Sequence, residues 1–159
     1  MAQASPATRE LKCLVLPMSG RALIVPNVAV AEIVTQQDVT QQSNAPDWLL
    51  GTGTWRGLEI PLIAFDRLCG ERDAAPERTG RFVVMYGLEG EGAPPFYGVR
   101  IDALPRTETV DPQKLRPAEG SPHDSPLVAA RASVGDRECL VPAFGRLGHE
   151  LTRHIGRRA

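Results

Sequence analysis

Three cysteines, Cys13, Cys69 and Cys139, and three histidines, His123, His149 and His154, are the side chains from which nucleophilic, redox or metal chemistry would have to be built. Their spacing does not suit it. Zinc-type sites group their ligands as C-x-x-C pairs or as H-E-x-x-H on one helical face, and neither pattern occurs. His149 and His154 are five positions apart, a step that points the two rings in different directions on a helix of about 3.6 residues per turn. Each cysteine lies in an apolar strand or turn, where the thiolate needed for catalysis is disfavoured. Three widely separated thiols are an odd number and suit small buried hydrophobes in a reducing compartment better than a disulfide framework. The run Gly87-Leu88-Glu89-Gly90-Glu91-Gly92 lacks the Lys and Ser/Thr of a phosphate-binding loop, and its glutamates repel phosphate. It reads as a hairpin loop. The expectation is a chain with no catalytic residue, no metal and no cofactor.

What remains is the chemistry of recognition. Arg56, in the turn Trp55-Arg56-Gly57, presents a planar guanidinium that can bind carboxylates or carbonyls bidentately, or can instead cap its own turn and pin a neighbouring loop. Trp48 and Trp55 are the only tryptophans. Trp55, beside that turn, suits either an interface anchor or a lid whose indole N–H bonds a carbonyl. The formal net charge is −1, from 18 basic and 19 acidic residues, which gives no electrostatic reason to expect nucleic acid or an anionic membrane as partner. No apolar run approaches the ~20 residues of a membrane span, and the N-terminus lacks the pattern of a secretory signal. The chain reads as soluble and cytoplasmic, with proteins or small molecules as its partners.

The elements that position these residues are mostly strands. Residues 13–16, 22–25, 28–34, 57–65, 81–86, 96–101, 127–132 and 138–141 are short, rich in Val, Ile and Leu, and bounded by Gly, Pro, Asn or Asp. Ser19-Gly20, Arg56-Gly57 and Gly135-Asp136 can supply hairpin turns. Fourteen prolines argue against long helices. Helical candidates are a short turn at 47–50, another at 66–69, and a terminal amphipathic helix over 143–155 with Leu147, Leu151 and Ile155 at four-residue spacing. Segments 71–79 and 111–126 read as surface loops. An internal repeat organises the rest. Glu59, Ala64-Phe65 and Arg67-Leu68 recur as Glu138, Ala143-Phe144 and Arg146-Leu147, about half the chain apart, with a weaker echo between Ala31–Val34 and Thr107–Val110. Two similar β units follow from this.

The run from Asn44 to Gly70 contains an Asn-x-Pro turn, an apolar stretch ending in Gly, an Arg-Gly turn and the strand Glu59-Ile60-Pro61-Leu62-Ile63. Together with Leu23-Ile24-Val25-Pro26, Val30-Ala31-Glu32-Ile33-Val34 and Tyr97-Gly98-Val99-Arg100-Ile101-Asp102, it resembles the signature of the CheW-like chemotaxis coupling family over roughly Leu11 to Leu151. The resemblance implies two five-stranded SH3-like barrels packed together, with short helical turns and a C-terminal helix. The expected layout is a flexible N-terminus over 1–10, a single domain over 11–152 and a basic tail over 153–159. Within the domain the subdomains run about 20–80 and 81–152, with the N-terminal strand shared. The implied function is a non-catalytic adaptor joining the regulatory domain of a CheA-type histidine kinase to the cytoplasmic tip of a methyl-accepting chemoreceptor. Its implied place is the cytoplasm, recruited to membrane-associated arrays. By the same resemblance Arg56, Gly57, Trp55, Glu32 and Ile33 are partner-binding residues, while Val28, Val30 and Ile101 join Ile33 in lining an apolar seam for a receptor helix. On burial statistics alone, such aliphatics are simply core.

The sequence also departs from the family pattern. Thr54-Trp55-Arg56-Gly57 stands for N-x-R-G, Pro61-Leu62-Ile63-Ala64-Phe65 lacks the Asp of P-V-x-D-L, and Pro142-Ala143-Phe144-Gly145 replaces a final Leu-Asp-Leu-Asp. Divergence of this kind is similar to the auxiliary couplers of systems controlling type IV pili and twitching motility. The competing classes are a regulator that binds only one partner and competes, a thiol-based enzyme, and a small β-barrel module for a ligand or nucleic acid.

Overall fold

The computed structural model describes residues 10–18, 21–69, 79–87, 93–117, 126–134 and 137–155. In chain order its strands are β1 (Leu11–Met18), β2 (Arg21–Pro26), β3 (Val30–Asp38), β4 (Leu49–Trp55), β5 (Leu58–Ile63), β6 (Thr79–Tyr86), β7 (Phe96–Ile101), β8 (Arg106–Val110), β9 (Arg116–Pro117), β10 (Val128–Val134) and β11 (Arg137–Pro142). Two helices, α1 (Phe65–Leu68) and α2 (Phe144–Ile155), complete the regular structure apart from 3-10 turns at Asn27–Ala29 and Pro112–Lys114.

The strands form two sheets, ordered β3-β6-β7-β5-β4 and β8-β1-β2-β11-β10-β9. Each curls into a half of SH3-like type, so the fold is mostly β, as the sequence implies. The first barrel closes where the chain beyond β3 bridges back to β4, Thr40 opposite Thr52. Closure brings backbones into contact at Gly51, whose φ of +148° and 2.1 Å approach of an added Cβ to the Thr40 carbonyl oxygen leave room only for glycine. The second barrel closes the same way, through β9 on β10 with Arg116 opposite Arg131.

The repeat seen in the sequence is a repeat of hydrogen bonds. The Ala64 N–H donates to Trp48 O at 2.8 Å, and the Ala143 N–H donates to Leu127 O at 2.7 Å. Arg67 Nη1 donates to Asp47 O at 2.8 Å and Arg146 Nη1 to Pro126 O at 3.4 Å. Register slips at Leu49/Gly51 and again at Val128/Ala130. Thus the Ala-Phe and Arg-Leu pairs start a helix from the end of a barrel strand and tie it to the neighbouring bulged strand.

Sheet membership corrects the expected division at residues 80 and 81. The first barrel takes residues from 30 to 101, whereas β1 and β2 pair with β8 and β11 and belong to the second. Both of the N-terminal strands serve one barrel, because hydrogen-bond partners rather than position along the chain decide membership. Other expectations shift locally. The helical turn at 47–50 is a β-turn, with the Leu49 N–H on Pro46 O at 3.0 Å, leading into β4. The strand expected from Val28 starts at Val30, since Asn27–Ala29 winds into a 3-10 turn. Strand β8 and the two-residue β9 occupy stretches expected as connection or loop. Arg153 and His154, which the expected helix over 143–155 and the expected tail over 153–159 both claim, form the last turn of α2, where the Arg153 charge suits the helix dipole. The turns at 19–20 and 135–136, residues 1–9, most of the loops 71–79 and 87–92, segment 118–125 with His123, and residues 156–159 lie outside the described residues.

Three apolar clusters account for the packing. Trp55, Ile60, Leu62, Phe82 and Val84 fill the first barrel, and Cys13, Val15, Ala22, Ile24 and Cys139 fill the second. The largest cluster lies between the barrels. Leu16 and Val25 of one sheet meet Val83, Met85, Val99 and Ile101 of the other, sealed by Leu147 and Leu151 of α2. A buried ion pair, Arg100 to Asp66 at 3.6 Å, adds a polar tie, with side chains only 6% and 8% exposed.

Candidate functional site

The β4–β5 connection is a two-residue hairpin, with Trp55 opposite Leu58. Its central residues have positive φ, Arg56 at 49° and Gly57 at 78°, which the tight turns matching the right-handed strand twist require. Glycine adopts this conformation freely; arginine does not. Something other than turn propensity therefore accounts for Arg56.

Its surroundings supply that reason. Strand β3 carries a bulge between Val30 and Glu32 that sets Glu32 opposite Val84, on the barrel-facing side of the sheet and over the end of the barrel. There the Trp55 indole Nε1–H donates to Glu32 Oε2 at 2.5 Å, and Arg56 Nη2 donates to Glu32 Oε1 at 3.1 Å. The Arg56 guanidinium also lies over the Trp55 ring, 5.0 Å from its centroid. The Trp55 hydrogen bond, then that from Arg56, holds the Glu32 carboxyl below the usual glutamate range. Of the two roles open to Trp55, anchor or lid, its 7% exposure suits the lid, although its N–H partner is a carboxylate and not a carbonyl. The Arg56 side chain stays 68% exposed. The result is an outward guanidinium on an anchored carboxylate, a rigid polar knob that can engage a partner's acceptors bidentately.

Around this knob lies apolar surface. Trp55 packs on Phe96 at 4.8 Å between centroids, and Phe96 on Tyr86 at 5.5 Å; Tyr86 and Leu58 are exposed. Sequence reasoning missed Phe96, Tyr86 and Leu58 as site residues. The signal available was their place at the ends of the strands that flank the Arg-Gly turn.

The remaining expected residues divide. Ile33 is exposed and, opposite Val83, falls on the side of the sheet that faces the seam. Val28 tops the 3-10 turn before β3 with 87% of its surface free, and Val30 is half-buried against the central cluster. Ile101 does not join them: it is 3% exposed and packed inside that cluster, so it lines no open trough. Its strand is covered on the seam side by the second barrel, a contact strand alternation cannot reveal.

The candidates for other chemistry fall elsewhere. Burial pushes the Cys13 and Cys139 thiols up from their ordinary range, away from the thiolate. His149 lines a cavity beside α2 with Leu127 and Arg146, whereas His154 packs edge-on to Trp48 at 5.1 Å. Among the described residues no three His, Cys, Asp or Glu side chains gather as metal ligands, and no helix is long and apolar enough to cross a membrane.

Comparison with known proteins gives the architecture a lineage. No curated protein matches the sequence. Among solved structures, the chain is similar to the scaffolding protein TtCheW of Thermoanaerobacter tengcongensis, at 18% identity over 84% of this chain and 88% of that one, with a TM-score of 0.70. The CheW-like domain family matches residues 12–147. With two barrels sharing one seam and a family match across nearly the whole of them, the chain belongs to the CheW-like domain family.

Proposed function

We propose that this protein is a non-catalytic adaptor that couples chemoreceptors to a CheA-type histidine kinase. The carrying observation is the Arg56 knob. A left-handed arginine, fixed on Glu32 and Trp55 at a barrel end and ringed by exposed apolar side chains, suits specific protein contact. Membership of the family supports the partner classes, namely the regulatory domain of the kinase and the cytoplasmic tip of a methyl-accepting receptor. The proposed contacts are Arg56, Glu32 and Ile33, with Val28 and Val30 on the seam side and Trp55 and Gly57 as support. Residues 11–152 act as one domain, in the cytoplasm at receptor arrays, and the divergent motifs favour a system controlling type IV pili.

The mechanism is positioning. Micromolar binding, about 8 kcal/mol for each partner, is sufficient where many copies assemble together. Pull-down from the native cell with the intact protein tests the reading: recovery of a histidine kinase and a chemoreceptor is the expected result. Recovery of neither overturns it, and recovery of one alone identifies a competitive regulator. In reconstituted complexes, Arg56→Ala should weaken binding by roughly 1–3 kcal/mol.

A further inference from the structure

The two barrels close in the same way but with opposite chemistry. In the first, the closing bridge sets Thr40 against Thr52, two neutral side chains. In the second, it sets Arg116 of β9 directly against Arg131 of β10. Like charges facing each other across a strand pair are destabilising, so this arrangement asks for a counter-charge. Glu138 supplies part of it, with Oε1 at 3.5 Å from Arg131 Nη1 and its side chain 60% exposed. One carboxylate against two guanidiniums leaves the cluster with a formal charge of +1. Moreover, Arg131 Nε is fully buried and has no hydrogen-bond acceptor among the described residues, an arrangement folded proteins generally avoid.

Arg116, Arg131, Ala132, Ser133 and Glu138 line one small polar cleft of about 40 Å³, room for about three water-sized groups. Its donors are the guanidiniums, its acceptor is the Glu138 carboxylate, and the Ser133 hydroxyl can do either. A singly charged oxyanion that keeps at least one proton satisfies all of them: its bare oxygens accept from Arg116, Arg131 and Ser133, and an O–H donates to Glu138. Its single negative charge also matches the surplus. We propose that this cleft is a binding site for a protonated phosphoryl monoanion, dihydrogen phosphate or the monoanion of a phosphate ester, held by Arg116, Arg131 and Ser133 and selected by Glu138.

The test is a titration of the intact protein with inorganic phosphate near pH 6, at constant ionic strength, following the Arg131 Nε–H resonance by NMR. A saturable shift that Arg116→Gln weakens at least fivefold is the expected result, with the amide spectrum confirming that the variant is folded. Sulfate, which carries no proton at that pH, should bind at least fivefold more weakly, and Glu138→Gln should erase this preference. Phenyl phosphate as a second probe separates the sources: tighter binding than phosphate assigns a phosphate ester, weaker binding the free ion. A shift that fails to saturate, that chloride reproduces, or that survives Arg116→Gln unchanged overturns the proposal.

Discussion

Replacing Arg56 with asparagine separates the two roles its position allows. Arginine at φ 49° sits in left-handed backbone, which costs an ordinary L-residue about 1–2 kcal/mol and asparagine less, because its short side chain bonds locally. Against that gain, the substitution removes the hydrogen bond to Glu32 and the stacking over Trp55. The ion pair is 68% exposed on the arginine side and 39% on the glutamate side, a setting in which such pairs contribute little. The ring contact is worth about 0.5–1 kcal/mol at an exposed site. These terms nearly cancel, so Arg56→Asn should change stability by less than about 1 kcal/mol, a melting shift within roughly 4 °C for a chain of this size. Binding to the kinase regulatory domain or the receptor tip should nevertheless fall by roughly 1–3 kcal/mol. Urea denaturation beside calorimetric titration reads both quantities from one preparation. A loss above 2 kcal/mol in stability with unchanged affinity refutes the reasoning and makes Arg56 a structural residue.

Three further outcomes follow from the geometry. Asp66→Ala leaves Arg100 buried without its carboxylate and should cost about 3–5 kcal/mol, while Asp66→Leu with Arg100→Met should restore most of it; a single-variant loss below 1 kcal/mol in denaturant refutes the pairing. Gly51→Ala should destabilise by about 2–4 kcal/mol, since both its φ and the Thr40 carbonyl oppose a Cβ, and a melting temperature equal to the parent's contradicts the closure described. Glu32 has its carboxyl depressed in the fold, so its stabilising contribution is present above the ordinary glutamate value of about 4.3 and is lost as pH falls through the lower folded value. The stability difference between the parent and Glu32→Gln should therefore be constant near neutrality and vanish in acid; a difference that grows on acidification has the wrong sign.

The readable parts of this chain were those fixed by local chemistry. Strand β7 matches its β-branched and aromatic run over Phe96–Ile101, and the Arg56-Gly57 hairpin follows from glycine's freedom at positive φ. The repeated Ala-Phe and Arg-Leu pairs pointed to two units because together they make the same two bonds in each barrel. Strand β4 escaped notice because Gly51 and Gly53 lower its β propensity, although the close approach of the Thr40 backbone is why residue 51 is glycine. Strand β8 was hidden for another reason: Arg106–Val110 is polar and finds its partner in β1, at the far end of the chain. At the site, the types of Arg56, Trp55 and Glu32 were legible, but their meeting was not, since it depends on a bulge in β3 and on barrel curvature. Ile101 misled because nothing local says that its face is covered by another sheet.

The sheet order carries a consequence for how the molecule is made. Every strand of the first barrel lies between residues 30 and 101, so that unit can form as it leaves the ribosome. The hairpin β1–β2 emerges before that barrel, yet its neighbours β8 and β11 are synthesised only after the barrel is complete. At the usual elongation rate it waits on the order of 10 s, carrying Leu16, Met18, Leu23 and Val25 of the central core with both strand edges open. The newborn domain is thus most exposed to mispairing at β1 and β2. A ribosome stalled before residue 137 would hold a finished first barrel beside a hairpin still missing one of its two neighbours.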